Sequence, residues 1–331
     1  MRMARFILFR LLGVIVVLLV VTAITFVIFY VLPTNPAQLS CGKPCTPQNL
    51  AAAKEYLGLD QPWYGQFWEF LKGIVVGRSF GSGSGVVVCS APCFGYSFQL
   101  QTPVTQLILS RFPVTASIAV GAAVLWFVSG VFGGTIAAIR RGRVADKAIM
   151  TVAIAGVSAP AYLVGMLLIL LFGFTLKWLP TGGYVPITED PVQWFTHLLL
   201  PWVALAFISA AVYARLTRGE LLEQFGLDYV RTARAKGLTE GSVVVHHALR
   251  NALVPVVTIF GLDLGVLLGG AVITERVFSM QGIGSLLLNA IGTLDLQTVV
   301  GITLFAAFLI AIANVIVDIV YGFLDPRVRA A

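Results

Sequence analysis

The stretch YVRTARAKGLTE, residues 229–240, puts three cations and one acid into twelve residues of a chain that is otherwise 58% hydrophobic and 11% charged. An average soluble domain carries about 25% charge, so the composition excludes an ordinary soluble enzyme. Apolar blocks at 195–214 and 252–273 flank the stretch, and four more lie at 11–32, 112–139, 148–176 and 296–317. Crossing a bilayer core about 30 Å thick takes about 20 predominantly apolar residues. Backbone amides in hydrocarbon must be satisfied within their own segment, so the six blocks read as six transmembrane helices.

Lys and Arg in the short connections set the orientation. With the N-terminus inside, one side collects the basic residues at 2–10, 140–147, 215–250 and 327–329, while the opposite short connections hold only Lys177 and Arg276. Both termini and the opening stretch are therefore expected in the cytoplasm. The net charge of +7 sits on membrane-proximal loops, which reads as topology and attraction to anionic membrane lipid, with no nucleic acid partner. The first apolar run exceeds a signal-peptide core, and despite the LSCG at 39–42 it reads as a retained helix.

The expected organisation has three parts. Residues 1–32 form the cytoplasmic N-terminus and first helix, 33–111 an extracytoplasmic loop domain, and 112–331 a five-helix core with a cytoplasmic loop at 215–251. In the outer loop, TPQNLAAAKEYLG predicts a helix started by Thr46 and stopped by Gly58. The next segment, QPWYGQFWEFLKGIVVG, predicts an amphipathic helix whose aromatics suit packing within the loop, the membrane interface or a docked partner. All four cysteines, Cys41, Cys45, Cys89 and Cys93, fall in this loop. Outside the cytoplasm they read as two disulfides rather than a metal site, and three pairings remain open. The run GRSFGSGSG lacks the Gly-Lys-Ser/Thr ending of a phosphate loop.

The opening stretch itself predicts a short helix over 228–236, a break at Gly237 and a second helix leading into the fifth span. Asp228 can cap the first helix, and Thr239 or Glu240 favours the start of the second. Helical spacing puts Tyr229, Ala233 and Lys236 on one face. Such a helix offers a knob to a soluble partner, whereas one lying on lipid needs a larger apolar stripe than these alanines provide.

YVRTARAKGL with HHALRNALVPV resembles the cytoplasmic loop of the permease subunits of ABC importers, in the version carried by the dipeptide and oligopeptide class. Ala233 and Gly237 match the loop's Ala-x-x-x-Gly core. The general motif's Glu and first Ala are replaced by Arg231 and Thr232, and its Leu-x-Pro arrives late, at Leu253 and Pro255. GRSF, TPVTQLILSRFPVTASIAV, VFSMQGIGSLL and NVIVDIVYGFLDPRVR are similar to family segments in the same order, so the resemblance covers nearly the whole chain; residues 80–101 fit as an insertion.

The resemblance implies an all-α polytopic membrane protein of six transmembrane helices, with a large extracytoplasmic loop after the first and a cytoplasmic coupling helix between the fourth and fifth. It implies a non-catalytic subunit forming half of a peptide pathway in a bacterial-type inner membrane. The implied partners are a second homologous permease, two ATPase subunits that hold ATP and Mg, and an extracytoplasmic substrate-binding protein. It implies that Tyr229, Thr232, Ala233, Arg234, Lys236, Gly237 and Leu238 couple to the ATPase. The sequence has no Walker A motif, so ATP hydrolysis is expected in another chain and no cofactor in this one.

Asp263 and Asp318 are the acids deepest in apolar sequence, and an intramembrane acid is a functional candidate. Asp263, near the middle of the fifth block, either faces a hydrated path, where it could meet a substrate amino terminus, or pairs with a helix donor. Asp318, near the cytoplasmic end with Asn314 one turn before it, reads as a packing anchor. Gly261, Gly265 and Gly269 recur every four residues and allow close helix approach, either along the path or within the chain. His197, His246 and His247 form no metal or catalytic pattern. The alternative reading is a stand-alone proton-coupled transporter of small solutes using Asp263. It predicts internal repeats, and none is visible.

Overall fold

The computed structural model describes residues 2–32, 35–41, 45–80 and 87–324. The glycine-serine run at 81–86 and the Asp325-Pro326-Arg327 ending lie outside the described residues, as does the side chain of Asp318.

The first helix, α1 (Arg2–Phe26), continues as a π-helical stretch to Val31. The loop then forms α2 (Pro36–Ser40), α3 (Pro47–Leu57) and α4 (Trp63–Val76). Thr46 starts α3 by accepting a hydrogen bond from the Asn49 amide at 3.1 Å, and Gly58 ends it at φ +62°, as the sequence predicts. Residues 78–103, for which the sequence suggests no regular structure, fold into two antiparallel ribbons. One pairs β1 (Arg78–Phe80) with β2 (Val87–Cys89), the other β3 (Tyr96–Ser97) with β4 (Thr102–Pro103). Cys41 is bonded to Cys45 and Cys89 to Cys93. Of the three possible pairings, the local one is formed.

The long helix α5 (Val104–Ile139) follows. The third apolar block is broken. Helix α6 (Val144–Ser158) and helix α7 (Ala161–Leu168), the latter extended in π form to Thr175, meet at 104°. A residue before proline is driven out of the helical region, and Ala159 before Pro160 has φ −83°, ψ 127°. After α8 (Pro191–Phe225), α9 (Asp228–Ala235) and α10 (Glu240–Ser242), a π-helical segment leads into α11 (Arg250–Leu268). This span stops at Leu268 because the chain turns through Gly270 at φ +142°. Asp263 thus lies about 7.5 Å from the helix end at 1.5 Å per residue, not near the middle as the block boundaries suggest. The chain closes with α12 (Val272–Val277), α13 (Ile283–Thr293) and α14 (Leu296–Leu324). Among the described residues, five helices are long and apolar enough to cross a membrane, or six when the bent pair is counted as one broken span.

Contacts divide the chain into two compact units. In the first (1–115, 265–272 and 281–315), Phe26, Tyr56, Leu57, Phe70, Phe98, Val300 and Leu304 share one core, so the loop packs on the end of α1 and the start of α14. Asp295 caps α14 and accepts hydrogen bonds from Ser97 at 2.5 Å and Thr298 at 2.7 Å. In the second unit (116–264, 273–280 and 316–331), α6 packs along α8, and α5 approaches α8 closely. A Cβ on Gly121 would overlap the Trp202 ring. At Gly130 it would lie 2.5 Å from the Tyr213 Cβ, and at Gly134 2.5 Å from the Ala214 carbonyl.

Candidate coupling segment and intramembrane carboxylate

Helix α9 is short and strongly sided. Val230 and Ala233 are buried against Ala138, Leu221, Val243, Ala248 and Ala252, which come from α5, α8 and the segment entering α11. Tyr229 is half-buried, and its hydroxyl donates to Gln224 Oε1 at 2.7 Å. The outer face is polar and exposed: Arg231, Thr232, Arg234, Lys236, Gly237 and Leu238 all reach solvent. Thr232 returns its hydroxyl to the Asp228 carbonyl at 2.8 Å. Arg234 makes two bonds to Glu240, at 2.8 and 3.2 Å, and lies 5.6 Å over the Phe225 ring, which fixes the turn between α9 and α10.

Of the three residues that helical spacing groups together, the structure keeps Tyr229 and Ala233 on one core and leaves Lys236 in solvent. Ala233 faces inward, whereas Lys236, the cap residue just past the end of α9, is exposed. Gly237 has φ +77° and nothing within 4 Å of where a Cβ would stand. The turn, rather than lack of space, favours glycine there.

A pair that the sequence reading missed stands behind this segment. Arg218 Nε donates to Asp146 Oδ1 at 2.6 Å and Arg218 Nη2 to Oδ2 at 2.9 Å, while the Gly142 amide donates to Oδ2 at 2.8 Å. The bridge joins the start of α6 to α8, seven residues before α8 ends. A signal was present: Asp146 is the one acid in a basic run at 140–147.

Farther along, Tyr213 on α8 donates to Asp263 Oδ2 on α11 at 2.7 Å. The Tyr213 ring is buried, with ring centroids 6.3 Å from Trp126 and 6.4 Å from both Phe127 and Phe260. Asp263 itself is exposed, and among the described residues no cation pairs with it. Within the glycine stripe, a Cβ on Gly265 would lie 2.7 Å from Ala313 Cβ and one on Gly269 3.0 Å from Ala306 Cβ. The stripe at these two positions is a tight seam with α14. Asp263, two residues before Gly265 and so about 200° around the helix, points away from that seam.

Residues 130–330 match the family of binding-protein-dependent transport system inner membrane components, and residues 3–119 match the N-terminal region of such components. The chain belongs to this family. It is a transmembrane permease subunit. This permease is 40% identical over 304 residues, 92% of each chain, to a Brucella abortus (strain 2308) protein that carries the name of a peptide transport system permease. It is 37% identical over 327 residues, 99% of each chain, to the glutathione transport system permease protein GsiC of Escherichia coli (strain K12). In fold it is similar to a chain of the MetNI methionine ABC transporter in an inward-facing conformation, with a TM-score of 0.52 at 18% identity, covering 67% of this chain and 97% of that one. These comparisons give the stand-alone proton-coupled alternative no support.

Proposed function

We propose that this permease is one half of an ATP-driven peptide importer. It lines a path together with a second, homologous permease and receives cargo from an extracytoplasmic substrate-binding protein. It is driven by two ATPase subunits that hold ATP and Mg, and it performs no hydrolysis itself. It resides in the inner membrane with both termini in the cytoplasm, residues 33–111 outside, and the loop at 215–251 facing the ATPase.

The observation that carries this reading is the construction of α9. Its inner residues, Val230 and Ala233, are rooted in the chain's own core, while Thr232, Arg234, Lys236, Gly237 and Leu238 form an exposed rim. A force applied to that rim is delivered to the ends of α5, α8 and α11 rather than dissipated in a loose loop. In this reading Tyr229 and Ala233 seat the coupling helix and the rim meets the ATPase. Asp263 lines the path: its carboxylate is exposed with no cation beside it among the described residues, and an acid within a span is costly unless it faces water or a partner, so water or passing cargo satisfies it.

Isolation of the tagged permease from native membrane tests the assembly. Two ATPase chains and a second permease are expected to come with it, and ATP-dependent uptake of a di- or tripeptide is expected once the binding protein is added to vesicles. Isolation of the permease alone, active without ATP, would overturn the reading.

A further inference from the structure

Helix α4 presents apolar groups on two flanks and polar ones on a third. Phe67, Phe70 and Ile74 form the inner flank, where Phe67 meets Phe26 of α1 edge to face and Phe70 meets it at a tilt, with ring centroids 5.3 and 6.0 Å apart. Gln66, Glu69 and Lys72 make the polar flank, with Glu69 3.4 Å from Arg78 and accepting from Gln61 at 3.0 Å. The second apolar flank is Tyr64, Trp68, Leu71 and Val75, spaced i, i+4, i+7 and i+11 as one helical stripe. Tyr64, Trp68 and Val75 are 63%, 67% and 75% exposed, and Trp63 at the helix start is 65% exposed. Large aromatics left open in this way mark a contact that lies outside the chain.

Position says which contact. Phe26 lies six residues, about 9 Å, before the end of the first apolar block at 32, so α4 is fastened within two turns of the outer end of the first span. Below it, Ile15, Val16, Val20 and Ile24 of the first span are themselves exposed. The α4 stripe is therefore attached where that lipid-facing surface ends, at the depth where Trp and Tyr partition best. Lys72, beside the stripe, can extend its ammonium toward phosphate.

We propose that α4 is an interfacial helix that lays Tyr64, Trp68, Leu71 and Val75 into the headgroup and upper acyl region of the bilayer. The inference goes beyond peptide import and does not depend on it. Apolar burial holds the helix in the interface plane, so α4 fixes the tilt and depth of the first span.

The test uses the complete transporter in phosphatidylethanolamine–phosphatidylglycerol vesicles that contain lipid brominated either near the headgroup or near the chain end. The fluorescence lost on changing Trp63→Phe and Trp68→Phe together is expected to be quenched by the shallow bromines and much less by the deep ones. Both side chains are exposed, so the variant keeps its fold. As a second measurement, a benzoylphenylalanine photoprobe replacing Trp68 is expected to yield an adduct of one phospholipid mass. No quenching by either lipid, or a protein-sized adduct with the binding protein, overturns the proposal.

Discussion

Arg218 grips Asp146 with two parallel hydrogen bonds, 2.6 and 2.9 Å long, seven residues before α8 ends. The Asp146 carboxylate is buried and the arginine half-buried. An ion pair of this kind is poor at adding stability but costly to break from one side, since the remaining charge is left uncompensated. Arg218→Ala and Asp146→Ala are each expected to lower the thermal midpoint of the purified permease. The exchanged pair Asp146→Arg with Arg218→Asp should recover part of that loss. A double variant no better than either single one would show that the contact is incidental.

The two faces of α9 predict two different failures. Ala233→Glu forces a charge into the core formed with Leu221 and Val243, at a cost of about 3 kcal/mol or more. It should reduce the amount of folded permease in the membrane. Lys236→Glu and Thr232→Glu alter only the rim. They should leave abundance unchanged and weaken retention of the ATPase subunits during purification.

Gly237→Ala probes the turn alone. No neighbour obstructs the new methyl group, so the cost is that of a left-handed backbone, about 1–2 kcal/mol. ATP hydrolysis by the assembled transporter is expected to persist while uptake per ATP falls. Uptake at the normal ratio would mean that the angle between α9 and α10 is irrelevant to coupling.

Asp263→Asn and Tyr213→Phe separate charge from hydrogen bonding. Both preserve shape, and the carboxylate is exposed, so assembly and thermal midpoint should change little. Uptake should fall in Asp263→Asn and less in Tyr213→Phe. By contrast Gly265→Val, which presses into Ala313 and Ile310, should cost about 1–3 kcal/mol through overpacking and act on stability first.

Peptide mapping without reduction should find Cys41 linked to Cys45 and Cys89 to Cys93, with no peptide joining the two halves of the loop. Each bridge closes so short a loop that its removal should cost about 2 kcal/mol by chain entropy. Such local bridges brace turns rather than tether α1 to α5.

Much of this was legible in the residues. Long apolar blocks reveal spans because hydrocarbon tolerates few alternatives to a helix, and Thr46 and Gly58 reveal α3 because capping is local chemistry. The break at Ala159 is encoded by Pro160, but hydropathy, which counts a proline as merely mild, runs straight through it. What could not be read was anything that depends on two distant segments meeting. The Asp146–Arg218 bridge spans 72 positions and the Tyr213–Asp263 bond spans 50. The inward turn of Ala233 became visible only with the core around it, because periodicity orders the side chains around a helix but does not say which side faces the protein.

The three glycines of α5 that take Trp202, Tyr213 and Ala214 have a mechanical consequence. A helix of 35 residues, about 52 Å long, would flex under load if it stood alone. Locked against α5 from Gly121 to Gly134, α8 becomes one member of a two-helix girder. Under the coupling role proposed for α9, a push arriving there becomes torque on that girder. Between Trp202 and Ala214 the pair resists bending, which leaves Pro201 as the first place along α8 where the helix can flex.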